Sequence, residues 1–289
     1  MFHRIASEPG ASAPVGVFDS GVGGLTVLRA LAGALPTEDF VYLGDTARLP
    51  YGTKSPESIR RYALQAASLL AARGVKCLVV ACNTASAVAL DDLAREFAPV
   101  PVLGVVEPGA RAACAATRSG SVAVVATEST VRGGAYEAAI RRCRPDAVVA
   151  ARACPLFVAL AEEGWTDGPV VEAVAHRYLD DLFSPSQPRR PDTLVLGCTH
   201  FPVLAPAIGR VLGSDVTIVD SAATTARALV GVLEQAGLGR AGSGPGHLQL
   251  LATDSAERFA RVGGTFLGRQ LQPGDVEIVD LQAPPPGAP

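Results

Sequence analysis

Two stretches of the chain repeat one pattern, and that pattern leaves few folds open. Residues 76 to 87 read KCLVVACNTASA, and residues 192 to 204 read DTLVLGCTHFPVL. In each, four or five strand-forming residues (78 to 81; 193 to 197) stop at a cysteine, Cys82 or Cys198, and small polar residues then lead into helix-like sequence. The pattern predicts a strand, a turn and a helix N-terminus, twice over. Strand and helix patterns alternate along the rest of the chain, so the expected class is α/β with mainly parallel sheets. Ligands of such sheets sit at the carboxyl ends of the strands. Asp19, Asp45, Cys82, Thr127 and Cys198 all fall at such ends.

A thiol at this junction meets the unpaired NH groups of the following helix, whose partial positive charge favours thiolate. Ionisation near neutral pH is therefore expected at both cysteines. Taken singly, each is as well read as a small buried hydrophobe. The repeat shifts the balance toward a paired site. Two similar acid/base groups facing one carbon can move a proton from one face to the other, which is racemisation or epimerisation.

The 289 residues are enough for two domains, and 48% hydrophobic content fits a globular protein. A formal net charge of −3 gives no electrostatic basis for binding nucleic acid. No apolar run reaches the roughly 20 residues of a membrane span, and the first fourteen residues lack a signal-peptide core, so a cytoplasmic protein without membrane attachment is expected. The six cysteines (77, 82, 114, 143, 154, 198) lack CxxC spacing, and neither a disulfide nor a metal site is expected.

In chain order, residues 1 to 14 read as a mobile arm and residues 282 to 289 as a disordered Pro-rich tail. The turn Asp19-Ser20-Gly21-Val22-Gly23-Gly24 follows the first strand and could hold an anion. Thr26 stands where a dinucleotide fingerprint needs glycine, and no Walker lysine follows. Asp19 is either a turn former or a group that handles protons or an ammonium. The loop at 45 to 52 is too polar to be a mere connection. Asn83 and Thr84 either cap the helix expected from about residue 85 or bind a polar ligand. One helix is expected from the TEST segment through residue 142 and another over 170 to 183. Glu162 and Glu163 read as a solvated helix end, and His200 as a surface residue or a proton relay beside Cys198.

With these residues in place the chain resembles the glutamate racemases of the aspartate/glutamate racemase family. The resemblance rests on FDSGVGGLTV (18 to 27), YLGDTARLPYG (42 to 52), ACNTAS (81 to 86), TEST from Thr127, CPLFVALAEEG (154 to 164) and LGCTHFP (196 to 202). It spans roughly residues 15 to 280 and keeps the family's motif order. Phe201 stands where tyrosine is common. The resemblance implies two pseudo-symmetric α/β domains with the active site in the cleft between them. The first domain would hold residues 15–105 plus 222–281 and the second 106–221.

The resemblance makes Cys82 and Cys198 the proton donor and acceptor, assisted by Asp19 and His200 respectively. Asp19, Ser20, Tyr51, Gly52, Asn83, Thr84, Thr199 and His200 form the implied substrate-binding set. Asp45 and Glu162 match carboxylates near the family's pocket. The implied route uses no cofactor, although the Cα proton is far less acidic than a thiol of ordinary pKa about 8.5. Fixed donors and a dry, closed cleft would have to stabilise the carbanion. The implied product is D-glutamate for bacterial peptidoglycan, and such enzymes are often homodimers. Rival readings are a racemase for aspartate or a hydantoin, and a cleft protein that binds an amino acid without chemistry. Thiol phosphatase chemistry is excluded because no arginine lies in the six positions after either cysteine.

Overall fold

A computed structural model describes residues 10–281. The tail over 282–289 and the first nine residues of the expected arm lie outside the described residues.

Among the described residues ten strands form two parallel sheets. The first sheet contains β1 (Val15–Asp19), β2 (Phe40–Gly44), β3 (Cys77–Val80) and β4 (Val102–Gly104). The second contains β5 (Ser121–Ala126), β6 (Val148–Ala153), β7 (Thr193–Gly197) and β8 (Thr217–Asp220). The chain then returns to the first sheet with β9 (Leu248–Ala252) and β10 (Val276–Ile278). Strand order is β10-β9-β2-β1-β3-β4 in one sheet and β6-β5-β7-β8 in the other, with every pairing parallel. Strands such as β3 (CLVV) and β7 (TLVLG) are buried along their whole length, as unbroken apolar runs require when helices cover both faces.

Helices α1 (Leu25–Ala34), α10 (Ser221–Gln235) and α11 (Ala256–Leu267) cover one face of the first sheet. The opposite face packs against α2 (Pro56–Ala72) and α3 (Asn83–Glu96). In the second sheet, α4 (Val106–Ala116) and α6 (Ala135–Cys143) cover one face, and α7 (Pro155–Glu162), α8 (Pro169–Leu179) and α9 (Ala205–Leu212) the other. The short α5 (Glu128–Gly133) leads into α6.

The two sheets share a topological device. From β1 the chain winds outward to β2, then crosses to β3 on the other side of β1; from β5 it winds to β6, then crosses to β7 on the other side of β5. Helices therefore leave the two central strands in opposite directions and open a crevice at the carboxyl ends, where α/β sheets bind ligands. Asp19 and Cys82 flank the first crevice, Thr127 and Cys198 the second.

Three elements differ from expectation. The helix expected through residue 142 is broken at Gly134, whose φ of +63° ends α5 in the left-handed region and starts α6. The helix expected to reach residue 183 ends at Leu179. Helix α3 begins at Asn83, with Cys82 itself as the capping residue.

At the amino ends of the strands Lys76 is fully buried and bonds Glu38 at 2.5 Å and the Ala11 carbonyl at 2.6 Å, tying down part of the expected arm. Glu38 also accepts from the Arg240 amide at 2.7 Å. Among the described residues no helix is long and apolar enough to cross a membrane. Removing one member of a buried pair strands the other's charge. Lys76→Met should therefore lower unfolding free energy by about 3–5 kcal/mol in urea titrations; a loss below about 1 kcal/mol, the value of an exposed pair, would contradict this role.

Candidate active site

Asp19 ends β1 fully buried, and its Oδ2 accepts from the Gly21 amide at 3.0 Å. Tyr42 fixes the same turn by donating its hydroxyl to the Gly21 carbonyl at 2.9 Å. Beyond β3, Cys82 Sγ lies 3.6 Å from Ser20 Oγ and accepts from the Ala85 amide of the first turn of α3 at 3.5 Å. The amide contact anticipated for a thiol at this junction is therefore made. Near-neutral ionisation does not follow from it at Cys82. The side chain is only 4% exposed, and burial, reinforced by the Asp19 charge, pushes the thiol up to about 12 against the helix amide and Ser20.

The second wall has the opposite electrostatics. Cys198, 6% exposed, lies 3.8 Å from His200 Nδ1, and His200 Nε2 lies 3.2 Å from Glu162 Oε1. Glu162 Oε2 in turn accepts from Arg258 at 2.8 Å. Burial works against an imidazolium here. The bonds to Cys198 and Glu162 outweigh it and raise His200 to about 10, while His200 holds the Glu162 carboxyl below its ordinary range. Asp19 moves the other way, raised by burial although His200 opposes the shift. A protonated His200 thus faces Cys198, and the Asp19 carboxyl stands on the Cys82 side.

The glycine turn serves this contact. A Cβ on Gly23 would lie 2.4 Å from His200 Nδ1 and 2.6 Å from Thr199 Oγ1, so only glycine lets the second wall press against the first. Two bonds seal the junction: Thr26 Oγ1 donates to the Thr199 carbonyl at 3.0 Å, and Thr199 Oγ1 to Asp19 Oδ1 at 3.4 Å.

The remaining sequence-identified residues divide into two groups. Asn83 is buried; its Oδ1 accepts from the Tyr136 hydroxyl at 2.6 Å, while its Nδ2 has no partner and is left able to donate. Thr84 Oγ1 lies 2.9 Å from Thr127 Oγ1 and 3.2 Å from Thr130 Oγ1, forming a cluster of hydroxyls. Tyr51, by contrast, donates its hydroxyl to Asp45 Oδ2 at 2.5 Å and packs within the core beside α2. Asp45 also accepts from Arg48 Nε at 2.7 Å and Thr253 Oγ1 at 3.0 Å. Both side chains therefore anchor the loop at 45 to 52, which carries Gly52 against Thr127.

Local sequence put Glu162 on a solvated helix end, while the family resemblance put it near the pocket; the carboxylate is part-buried and joins His200 to Arg258, and Glu163 is exposed. Tyr136, Thr130 and Arg258 were not singled out by the sequence. Thr130 lies within the TEST motif, but neither Tyr136 nor Arg258 carries any local signal.

Comparison with known proteins identifies the family. The sequence model of the Asp/Glu/Hydantoin racemase family matches residues 21–229. The chain belongs to that family. It is 53% identical over 269 residues to a glutamate racemase of Geobacter metallireducens, covering 93% of this chain and 97% of the relative. A glutamate racemase from Francisella tularensis, crystallised with D-glutamate, superposes with a TM-score of 0.86 at 36% identity, covering 94% of this chain and 99% of that one. The Thermus thermophilus glutamate racemase, solved with β-chloro-D-alanine, gives a TM-score of 0.83 at 46% identity over 94% and 99% of the two chains. An α/β fold with two mainly parallel sheets and an isomerase activity of the amino-acid racemase type are thus established for this racemase family member.

His200 holds its proton more tightly when folded, at about 10, than at its ordinary value of 6.5. Its contribution to stability is complete below about 6.5 and is lost as pH rises through about 10. Urea midpoints of the native protein and His200→Asn should differ most near pH 6 and converge toward about pH 10. A gap independent of pH would contradict a charged His200.

Proposed function

We propose that this racemase interconverts L- and D-glutamate by a two-base mechanism, with Cys82 and Cys198 on opposite faces of the substrate Cα. The observation that carries this reading is the pair of thiols at equivalent switch points, one beside a carboxylate and the other beside a protonated histidine. The similarity to glutamate racemases over more than nine-tenths of the chain supports glutamate over aspartate or a hydantoin.

In one direction Cys198, as thiolate, takes the Cα proton, and Cys82, as thiol, gives its proton to the opposite face. Two electrons remain on Cα between the steps and form the new C–H bond. In the reverse direction the thiols exchange roles. His200, held by Glu162, compensates negative charge on Cys198, and Asp19 favours the protonated form of Cys82. The unpartnered Asn83 amide, the Ser20 and Thr84 hydroxyls and the backbone around Gly52 and Thr199 grip the substrate's carboxylates, with Asp19 near its ammonium. Near-complete burial of both sulfurs supports a cleft that opens for exchange and closes for chemistry. The two units that open and close are taken as residues 15–105 plus 222–281 and residues 106–221. We assign the D-glutamate to bacterial peptidoglycan synthesis in the cytoplasm, on the family resemblance.

Incubation with L-glutamate in deuterated water should abolish optical rotation and place deuterium at Cα of the D-product, with little in residual L-glutamate at early times. Equal early labelling of both enantiomers would contradict two bases. Absence of exchange and rotation change would favour the binding-only reading.

A further inference from the structure

Two further thiols meet on the side of the second sheet covered by α4 and α6. Cys114, half-buried near the end of α4, donates its Sγ to the Ile140 carbonyl at 3.5 Å. Ile140 lies one turn before Cys143, the last residue of α6, which is exposed. The same Ile140 carbonyl accepts the Arg144 amide at 2.8 Å, so the Cys114 sulfur lies against the last turn of α6, at the level of Cys143. Arg144, the next residue, anchors its guanidinium on the Thr117 carbonyl at 2.9 Å, beside Cys114. Burial raises the Cys114 thiol above its ordinary range and the neighbouring Cys143 adds to the rise, with the Arg144 charge opposing both.

The other four cysteines are buried: Cys77 and Cys154 in the apolar cores, Cys82 and Cys198 in the cleft. Exposure and the presence of a second, resolving thiol are what make a cysteine responsive to oxidant. Neither Cys114 nor Cys143 takes part in the racemisation chemistry.

We propose that Cys114 and Cys143 form an oxidisable dithiol, a modification site that closes to an intramolecular disulfide on exposure to a peroxide. The exposed Cys143 sulfur attacks the O–O bond as thiolate; an S–O bond forms, the O–O bond breaks, and hydroxide leaves to be protonated to water. Cys114 then attacks the sulfenic sulfur; the S–S bond forms, the S–O bond breaks, and a second water departs. The two thiols together lose two electrons and two protons, and one hydrogen peroxide becomes two waters. The bridge joins the end of α4 to the end of α6, whose opposite end carries Tyr136 against Asn83.

The test is to treat the full-length protein with a small excess of hydrogen peroxide, block remaining thiols, and map tryptic peptides without reduction. The expected product is one linked pair, the peptide carrying Cys114 joined to that carrying Cys143, with the other four thiols alkylated and the bridge reopened by dithiothreitol. Cys143→Ser and Cys114→Ser, each racemising normally when reduced, should both lose the linked pair. Oxidation of Cys82 or Cys198 ahead of this pair would overturn the proposal, as would covalent dimers through Cys143 or sulfinic acid at Cys143 without a bridge.

Discussion

The contact between His200 and the glycine turn after β1 holds the site together. His200 touches Cys198 through Nδ1 and Glu162 through Nε2, and its ring lies edge-on to Phe266 of α11. Glu162 reaches Arg258, also on α11, so residues of the first sheet's helix clamp the second sheet's catalytic loop. Charge is what gives this clamp its strength, because a buried imidazolium is costly unless its hydrogen bonds are satisfied. The second unit is thereby held against the first, as the proposed action of Cys198 and Cys82 on one substrate requires.

Pseudo-symmetry gives the two thiols the same backbone setting, and their neighbours then make them different. Each follows a strand beside a switch point; Cys82 caps a full helix, whereas Cys198 leads into a 3₁₀ turn, Phe201–Leu204. Burial, with the Asp19 charge adding to it, raises the Cys82 thiol, while His200 offers Cys198 a charged donor. The proposed two-base mechanism needs one base and one acid at the outset of each half-reaction, and the asymmetry would provide such a starting state from nearly symmetric architecture. The reverse reaction requires the proton inventory to exchange, and burial of both sulfurs makes opening of the cleft the natural occasion for it.

Much of this organisation was legible in the sequence because it is locally encoded. Unbroken apolar runs mark buried parallel strands, and the cysteine after each marks the junction, so the class, the switch-point residues and both thiols could be read directly. The break at Gly134 could not, since a glycine within a helical pattern costs only about 1 kcal/mol and need not end the helix. Local pattern alone could not place Glu162, because its partners are 38 and 96 residues away; beside Glu163 it looks like any solvated helix end, and only the family resemblance set it near the pocket. The glycine turn could be read as able to hold an anion, but not that the missing side chain at Gly23 makes room for His200 and Thr199. Long-range packing decides such cases, and local pattern does not carry it.

The central claim is that each thiol serves one face of one carbon. It is tested most directly by following Cα–H exchange in deuterated water for Cys82→Ser and Cys198→Ser, supplied separately with L- and D-glutamate. Each variant should racemise at least about a hundredfold more slowly than the native protein, the scale of losing a general acid or base. The residual exchange of the two variants should select opposite enantiomers. Exchange of the same enantiomer by both variants, or racemisation at native rates by either, would contradict the account.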